Sequence, residues 1–222
     1  MPHPFDTSTA TADGEPPARV VDLKAAYEET VVLEGINLEV RPREILTVIG
    51  GSGSGKTTLL KHLIGLIKPV GGRVELFGQD WWALDEPERD RILKKIGVLF
   101  QNGALLGSKT LATNIAIPLE QHTDLPEAVI DRVVRMKLRQ VGLEAAYDRL
   151  PAELSGGMRK RASLARALAL DPPLIFCDTL GELYDQIRKR KLDAYAIPHH
   201  TAYFAGRRAP LWAHCNDRIS PY

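Results

Sequence analysis

The chain has 222 residues, 44% of them hydrophobic and 26% charged, which supports one buried core in a single domain or two lobes and excludes an intrinsically disordered chain. Its formal net charge of +1 makes no strong field of either sign and argues against naked nucleic acid as the main partner. Two cysteines, Cys177 and Cys215, and an N-terminus with neither a basic start nor an apolar export core read as a reducing, cytosolic setting with both thiols free.

Residues 1–17 are rich in Pro, Thr and acidic residues and show no apolar period, so they are expected to form a disordered tail. From Arg19 the segments RVVDL, INLEV and EILTVIG alternate with polar turns and predict strands, the last of them buried. GKTTLLKHLIGLI has helical spacing, with Thr57 and Thr58 at its start and Pro69 as its expected stop. At nine residues, LLKHLIGLI is also too short for the ~20 needed to span a membrane, and it carries Lys61 and His62. Any membrane is therefore supplied by another subunit. A strand GRVELFG, a helix around DEPERDRILKK and a strand IGVLF come next, then mainly helix over 110–154, where IDRVVRMKLRQVGL has one apolar face. Strands alternating with helices, plus this insert, predict a largely parallel α/β sheet carrying a helical lobe. There is no internal repeat.

Residues 50–58, GGSGSGKTT, fit the pattern Gly, four residues, Gly, Lys, Ser or Thr, placed between a predicted strand and a helix. Gly50, Gly51, Ser52, Gly53, Ser54 and Gly55 turn backbone N–H groups toward one point. Lys56 adds a cation against the outer phosphates, Thr57 offers a hydroxyl to magnesium, and Thr58 completes the loop. The bland alternative, a glycine-rich turn that binds nothing, does not account for the strand–loop–helix context.

A second glycine motif opens LSGGMRKRASLARALALDPPLIFCD at 154–178. Ser155 stands as an N-cap before two glycines and a long helix, whose open start is a second anion site. The RKR of Arg159 to Arg161 reads as a solvated helix face. A phosphate loop, then LFQNGALL with Gln101, then LSGGM, in this order, resembles the ATP-binding subunit of an ABC transporter over about residues 19–178.

The resemblance implies a P-loop NTPase core at 18–178 with a mostly parallel sheet, an antiparallel β lobe and a helical lobe at about 102–170. It implies ATP and Mg2+ as ligands and a homodimer of ATPase subunits paired head to tail. Ser155, Gly156 and Gly157 would then touch the partner's ATP. Thr57, Gln101 and Asp178 would serve magnesium, and Gln101 would report to the membrane subunits. Tyr27 would stack on adenine, although the residues alone favour a packing aromatic. The implied location is cytoplasmic, on the inner face of the cell membrane beside a permease. The Met158 variant of the signature, with IAIPLEQHTDLPEAVI and MKLRQVGLEAAYDRLPAELSGGM, is similar to ATPases of Mce and Mla type lipid transporters, which implies phospholipids or other hydrophobic molecules as cargo. On physical grounds alone, the same amphipathic lobe fits any docking partner.

The strand PLIFCD ends in Asp178, which suits an acid that orders magnesium, but Thr179 and Leu180 come next where the family has glutamate and proline. A threonine hydroxyl is a poor proton acceptor near pH 7, and a general base is worth ~10² to 10⁴ in rate, so binding is expected to survive and turnover to be impaired. Residues 181–222 also depart from the family. Asp185 and Ile187 fall at family offsets, which reads as chance in preference to residual resemblance. Of the candidate switch histidines His199, His200 and His214, none ends a β-branched run, and Pro198 precedes the first pair. Four of the six tyrosines and the charge run RKRK at 188–191 fall after Asp178. The expectation is a reading frame broken after Asp178, so that 179–222 is not family sequence and the C-terminal part of the core is missing. In the family the switch strand lies between the phosphate-loop and aspartate strands, and its loss predicts a marginal, aggregation-prone protein. Two other functions remain open. One is a pseudo-ATPase that clamps ATP and regulates a partner, or else a non-functional fragment. The other is a soluble ABC protein of DNA repair or translation, which predicts a second nucleotide site or coiled-coil insertions that the sequence lacks.

Overall fold

The computed structural model describes residues 15–28, 30–51, 53–100 and 103–178, and the backbone of 202–207. Alternating apolar residues in the first third build an antiparallel lobe from β1 (Ala18–Tyr27), β2 (Thr30–Val40), β4 (Gly71–Leu76) and β5 (Gln79–Asp80), in the order β2-β1-β4-β5. In β1 the buried residues are Ala18, Val20, Leu23 and Ala25. The step from 20 to 23 breaks strict alternation, and a bulge absorbs it. Asp22 there takes a φ of 49°, and its N–H turns to Asn37 Oδ1 at 2.8 Å, which returns Leu23 and Ala25 to the inner face.

The second sheet is parallel throughout. It consists of β3 (Ile45–Ile49), β6 (Ile96–Leu99), β7 (Leu174–Cys177) and β8 (Ala202–Arg207), in the order β3-β8-β7-β6. Strand β7 is buried on both sides, as an unbroken apolar run demands. Leu174 and Phe176 pack into the cluster with Leu59, Leu60 and Leu63, while Ile175 and Cys177 pack into the cluster of the helical lobe. The period of two thus makes β7 the partition between two cores.

The helix α1 (Lys56–Leu63) stops earlier than its sequence pattern suggests. Gly65 N–H donates to His62 O and Leu66 N–H to Lys61 O, at 3.1 and 2.8 Å, with Gly65 at a φ of 74°. This paired closure ends the helix several residues before its expected stop at Pro69. The helix α2 (Glu86–Leu93) starts at a reciprocal cap between Asp85 and Glu88. In the helical lobe α3 (Leu111–His122), α4 (Glu127–Gln140) and α5 (Gly156–Ala167) pack on one another around Ile115, Val134, Leu138 and Leu164. Buried Asn114 donates to the carbonyls of Leu106, Lys109 and Thr110 and accepts from Leu106 N–H, fixing the turn that leads into α3.

Two expectations need correction. The strand position between β3 and β7, expected to be empty, is taken by β8: Ile45 to Ile49 face Tyr203 to Arg207, and Leu174 to Cys177 face Ala202 to Ala205. The AYFAGR run leads into no histidine, so it lacks the mark of the family's switch strand. Closing a central gap in a parallel sheet requires only backbone donors and acceptors. The second concerns Pro17, expected to lie in the tail. Pro17 is buried and its carbonyl accepts from Phe77 N–H at 3.1 Å. Among the described residues no helix is long and apolar enough to cross a membrane.

Candidate nucleotide-binding site

The loop after β3 turns directly into α1, so the first free N–H groups of α1 and the loop amides open on one cavity of about 160 Å³, lined by Val32, Gly53, Ser54, Gly55, Lys56, Thr57 and Thr58. Gly55, the N-cap, has a φ of 85°, and a Cβ there would come within 2.6 Å of Leu33 Cδ2. Loop and antiparallel lobe touch at that point, and only glycine permits the contact. Gly51 differs: its φ is ordinary and a Cβ would meet nothing within 4 Å. Packing against the described residues therefore does not explain glycine at Gly51.

Lys56 Nζ is held over the loop by Gly50 O at 2.8 Å, Gly51 O at 2.6 Å and Ser54 Oγ at 3.2 Å. Thr57 Oγ1 donates to Asp178 Oδ1 at 3.3 Å, joining the first turn of α1 to the end of β7. A hydroxyl and a carboxylate oxygen this close suit a small hard cation that takes its remaining ligands from phosphate and water. No group of three or more His, Cys, Asp or Glu that could hold a metal occurs among the described residues. Next to Asp178, burial first and the Asp178 charge second push the Cys177 thiol up to about 12, which leaves it protonated and inert.

The second motif lies at the start of α5. Ser155 caps the helix, its Oγ accepting from Met158 N–H at 3.3 Å, and the first turn carries no acidic residue. Gly156 and Gly157 are exposed, and a Cβ on Gly157 would meet nothing within 4 Å. An open, positively polarised helix end is available to an anion from outside the chain. The RKR run is more than the solvated face expected of it. Arg159 Nη1 donates to Leu154 O at 2.6 Å and Arg161 Nη1 to Val141 O at 2.7 Å, so these guanidinium groups fasten the helix start to the preceding turn and to the end of α4.

Tyr27 sits 44% exposed at the tip of the β1–β2 hairpin and is not part of the cavity lining, which takes Val32 from the same hairpin. Sequence reasoning missed Val32, since an apolar residue in an alternating strand carries no signal that separates lining from core. Ser52, Gln101, Thr179, the histidines 199, 200 and 214, the run 188–191 and Cys215 lie outside the described residues.

MlaF of Haemophilus influenzae, an intermembrane phospholipid transport system ATP-binding protein, is 45% identical over 150 residues, covering 68% of this chain and 57% of that protein. A probable ribonucleotide transport ATP-binding protein, mkl of Mycobacterium leprae, is 41% identical over 169 residues, covering 76% of this chain and 49% of that protein. The chain thus spans about half the length of these relatives. Among solved structures, a dimeric ATP-binding cassette in a post-hydrolysis state bound to ADP and Pi superposes with a TM-score of 0.76 at 26% identity, covering 86% of this chain and 87% of that one. The family model described as ABC transporter matches residues 33–179, and the chain belongs to that family.

Proposed function

We propose that the chain is the ATP-binding subunit of a transporter for phospholipids or other hydrophobic molecules, which binds ATP with Mg2+ and hydrolyses it poorly or not at all. The observation that carries this reading is the meeting of Thr57 and Asp178 at 3.3 Å beside Lys56. The loop amides and Lys56 grip the triphosphate, and Thr57 and Asp178, with Gln101, hold the metal, which offsets the phosphate charge. The cavity of about 160 Å³ is smaller than the ~300 Å³ at which ligand pockets usually begin. Such a half-site fits an arrangement in which Ser155, Gly156 and Gly157 of a second copy close over the nucleotide. Tyr27, exposed at the hairpin tip, is free to stack on the base. The lipid cargo, the permease partner and the place at the inner membrane face rest on the likeness to MlaF.

Impaired hydrolysis rests on Thr179, which follows Asp178 where a carboxylate is needed to polarise water. Its neutral hydroxyl cannot accept the proton, a loss worth ~10² to 10⁴ in rate. The same residue supports a second reading, a pseudo-ATPase that clamps ATP to regulate its partner. Equilibrium ATP binding measured alongside phosphate release tests both. Binding with release at background supports a clamp, binding with measurable release overturns the Thr179 argument, and no binding by folded protein overturns the whole reading.

A further inference from the structure

The free amides at the start of α5 are aimed by a side chain one turn further along the same helix. Arg159 Nη1 donates to Leu154 O at 2.6 Å. Leu154 is 4% exposed, so its carbonyl needs a partner inside the protein. The peptide bond that joins Leu154 to Ser155 is trans, and a trans peptide is planar, with its carbonyl and its N–H on opposite sides. Holding Leu154 O toward Arg159 therefore turns the Ser155 N–H the other way. Ser155 Oγ takes the N–H of Met158, which leaves the N–H groups of Ser155, Gly156 and Gly157 as donors with no partner within the helix.

The same guanidinium also stands beside the motif. Its Nη2 lies 4.0 Å from the place a Cβ on Gly156 would take. A side chain that is always charged thus adds a positive charge to the partial one of the helix end. The adjoining carboxylate, Glu153, accepts instead from Leu150 N–H at 2.6 Å, and the first turn of α5 has no acidic residue. Arg161 makes a bond of similar length, but to Val141 O at the end of α4, and so holds the helix without touching the motif.

We infer that Arg159 is a positioning residue of this anion-binding end: through Leu154 O it aims the Ser155 N–H, and through its charge it strengthens the grip of Ser155, Gly156 and Gly157 on the triphosphate of a second copy. The inference rests on the head-to-tail closure proposed above. The aiming works through a backbone carbonyl, which has no residue code, so in the sequence Arg159 looks like a solvent charge.

The test measures pairing of the full chain by analytical ultracentrifugation in Mg2+ and ATP, beside ATP affinity at protein concentrations too low for pairing. Arg159→Met should weaken ATP-dependent pairing by about tenfold or more, the worth of a charged hydrogen bond, and leave the affinity of dilute protein unchanged. Arg159→Lys, which keeps the charge and one donor, should fall between. Arg161→Met loses a comparable carbonyl bond and should pair as wild type does, whereas a merely structural role predicts equal losses for the two arginines. The inference is overturned if Arg159→Met pairs as wild type, if Arg161→Met weakens pairing as much, if Arg159→Lys is no better than Arg159→Met, or if the affinity of dilute protein falls in step. If wild type itself does not pair in ATP, the head-to-tail reading fails and takes the inference with it. A cooperative melt of each variant controls for folding.

Discussion

Lys137 is the largest of the fully buried side chains, 1% exposed, and its Nζ donates to Asp171 Oδ1 at 2.5 Å, with Asp171 57% exposed. The pair ties α4 to the turn that delivers the chain into β7, where Asp171 holds a φ of 48°. Asp171→Asn removes the charge, keeps an oxygen acceptor and tolerates the left-handed conformation, so it isolates the electrostatic part. At an effective dielectric of 20, two unit charges this close attract by about 7 kcal/mol. Water around the half-exposed carboxylate offsets most of that, leaving about 2 kcal/mol, the range of a charged hydrogen bond. For a chain of this size the melting temperature should fall by about 4–8 °C. Lys137→Met removes the buried ammonium with its desolvation cost and should be neutral or stabilising. In that background Asp171→Asn should cost less than about 0.5 kcal/mol. Urea and thermal melts of the two single variants and the double variant measure the coupling. An Asp171→Asn variant as stable as wild type, or equal losses with and without Lys137, would refute the reasoning.

Three further outcomes are expected. Lys56→Ala should weaken ATP binding ~10- to 100-fold, the worth of a charged hydrogen bond to phosphate, with little change in the melt; a fluorescent-nucleotide titration reads it. The hydrogen bond from Tyr147 and then the Arg135 guanidinium hold Asp131 below its ordinary 3.8. A depressed carboxyl value contributes stability that is present above about pH 4 and lost as pH falls through the folded value. Asp131→Asn should accordingly flatten the fall of the urea midpoint below pH 4 and leave its slope between pH 5 and 7 unchanged. Cys177, with its thiol pushed up to about 12, should resist iodoacetamide at pH 8 in the native protein and react once urea unfolds it. Rapid native labelling at Cys177, located by mass spectrometry, would contradict its burial.

The features legible in the sequence are those whose chemistry is local. The phosphate loop between β3 and α1, Ser155 as a helix cap and the alternation of β1, β2 and β4 each depend on residues a few positions apart, and each appears where its pattern places it. Long-range features are hidden. Arg161 and Arg166 resemble solvent charges in sequence because their acceptors are backbone carbonyls on the end of α4 and beyond Phe100, which have no residue code. The end of α1 at Gly65 is masked by a proline that only forbids continuation, whereas the glycine makes the closing bonds. Strand β8 is hidden because it has neither the histidine nor the β-branched run that would mark a strand at that position. Its backbone register with β3 and β7 does not depend on either.

The most direct test of the central claim is to incubate the full chain with γ-labelled ATP and Mg2+, isolate the complex and identify the nucleotide it holds. Intact ATP, retained only when Mg2+ is present and absent from Lys56→Ala, is the expected result for a site that grips the triphosphate with Thr179 beside Asp178. Recovery of ADP with released phosphate after a single turnover would contradict the loss of hydrolysis, and folded protein carrying no nucleotide would contradict the site itself.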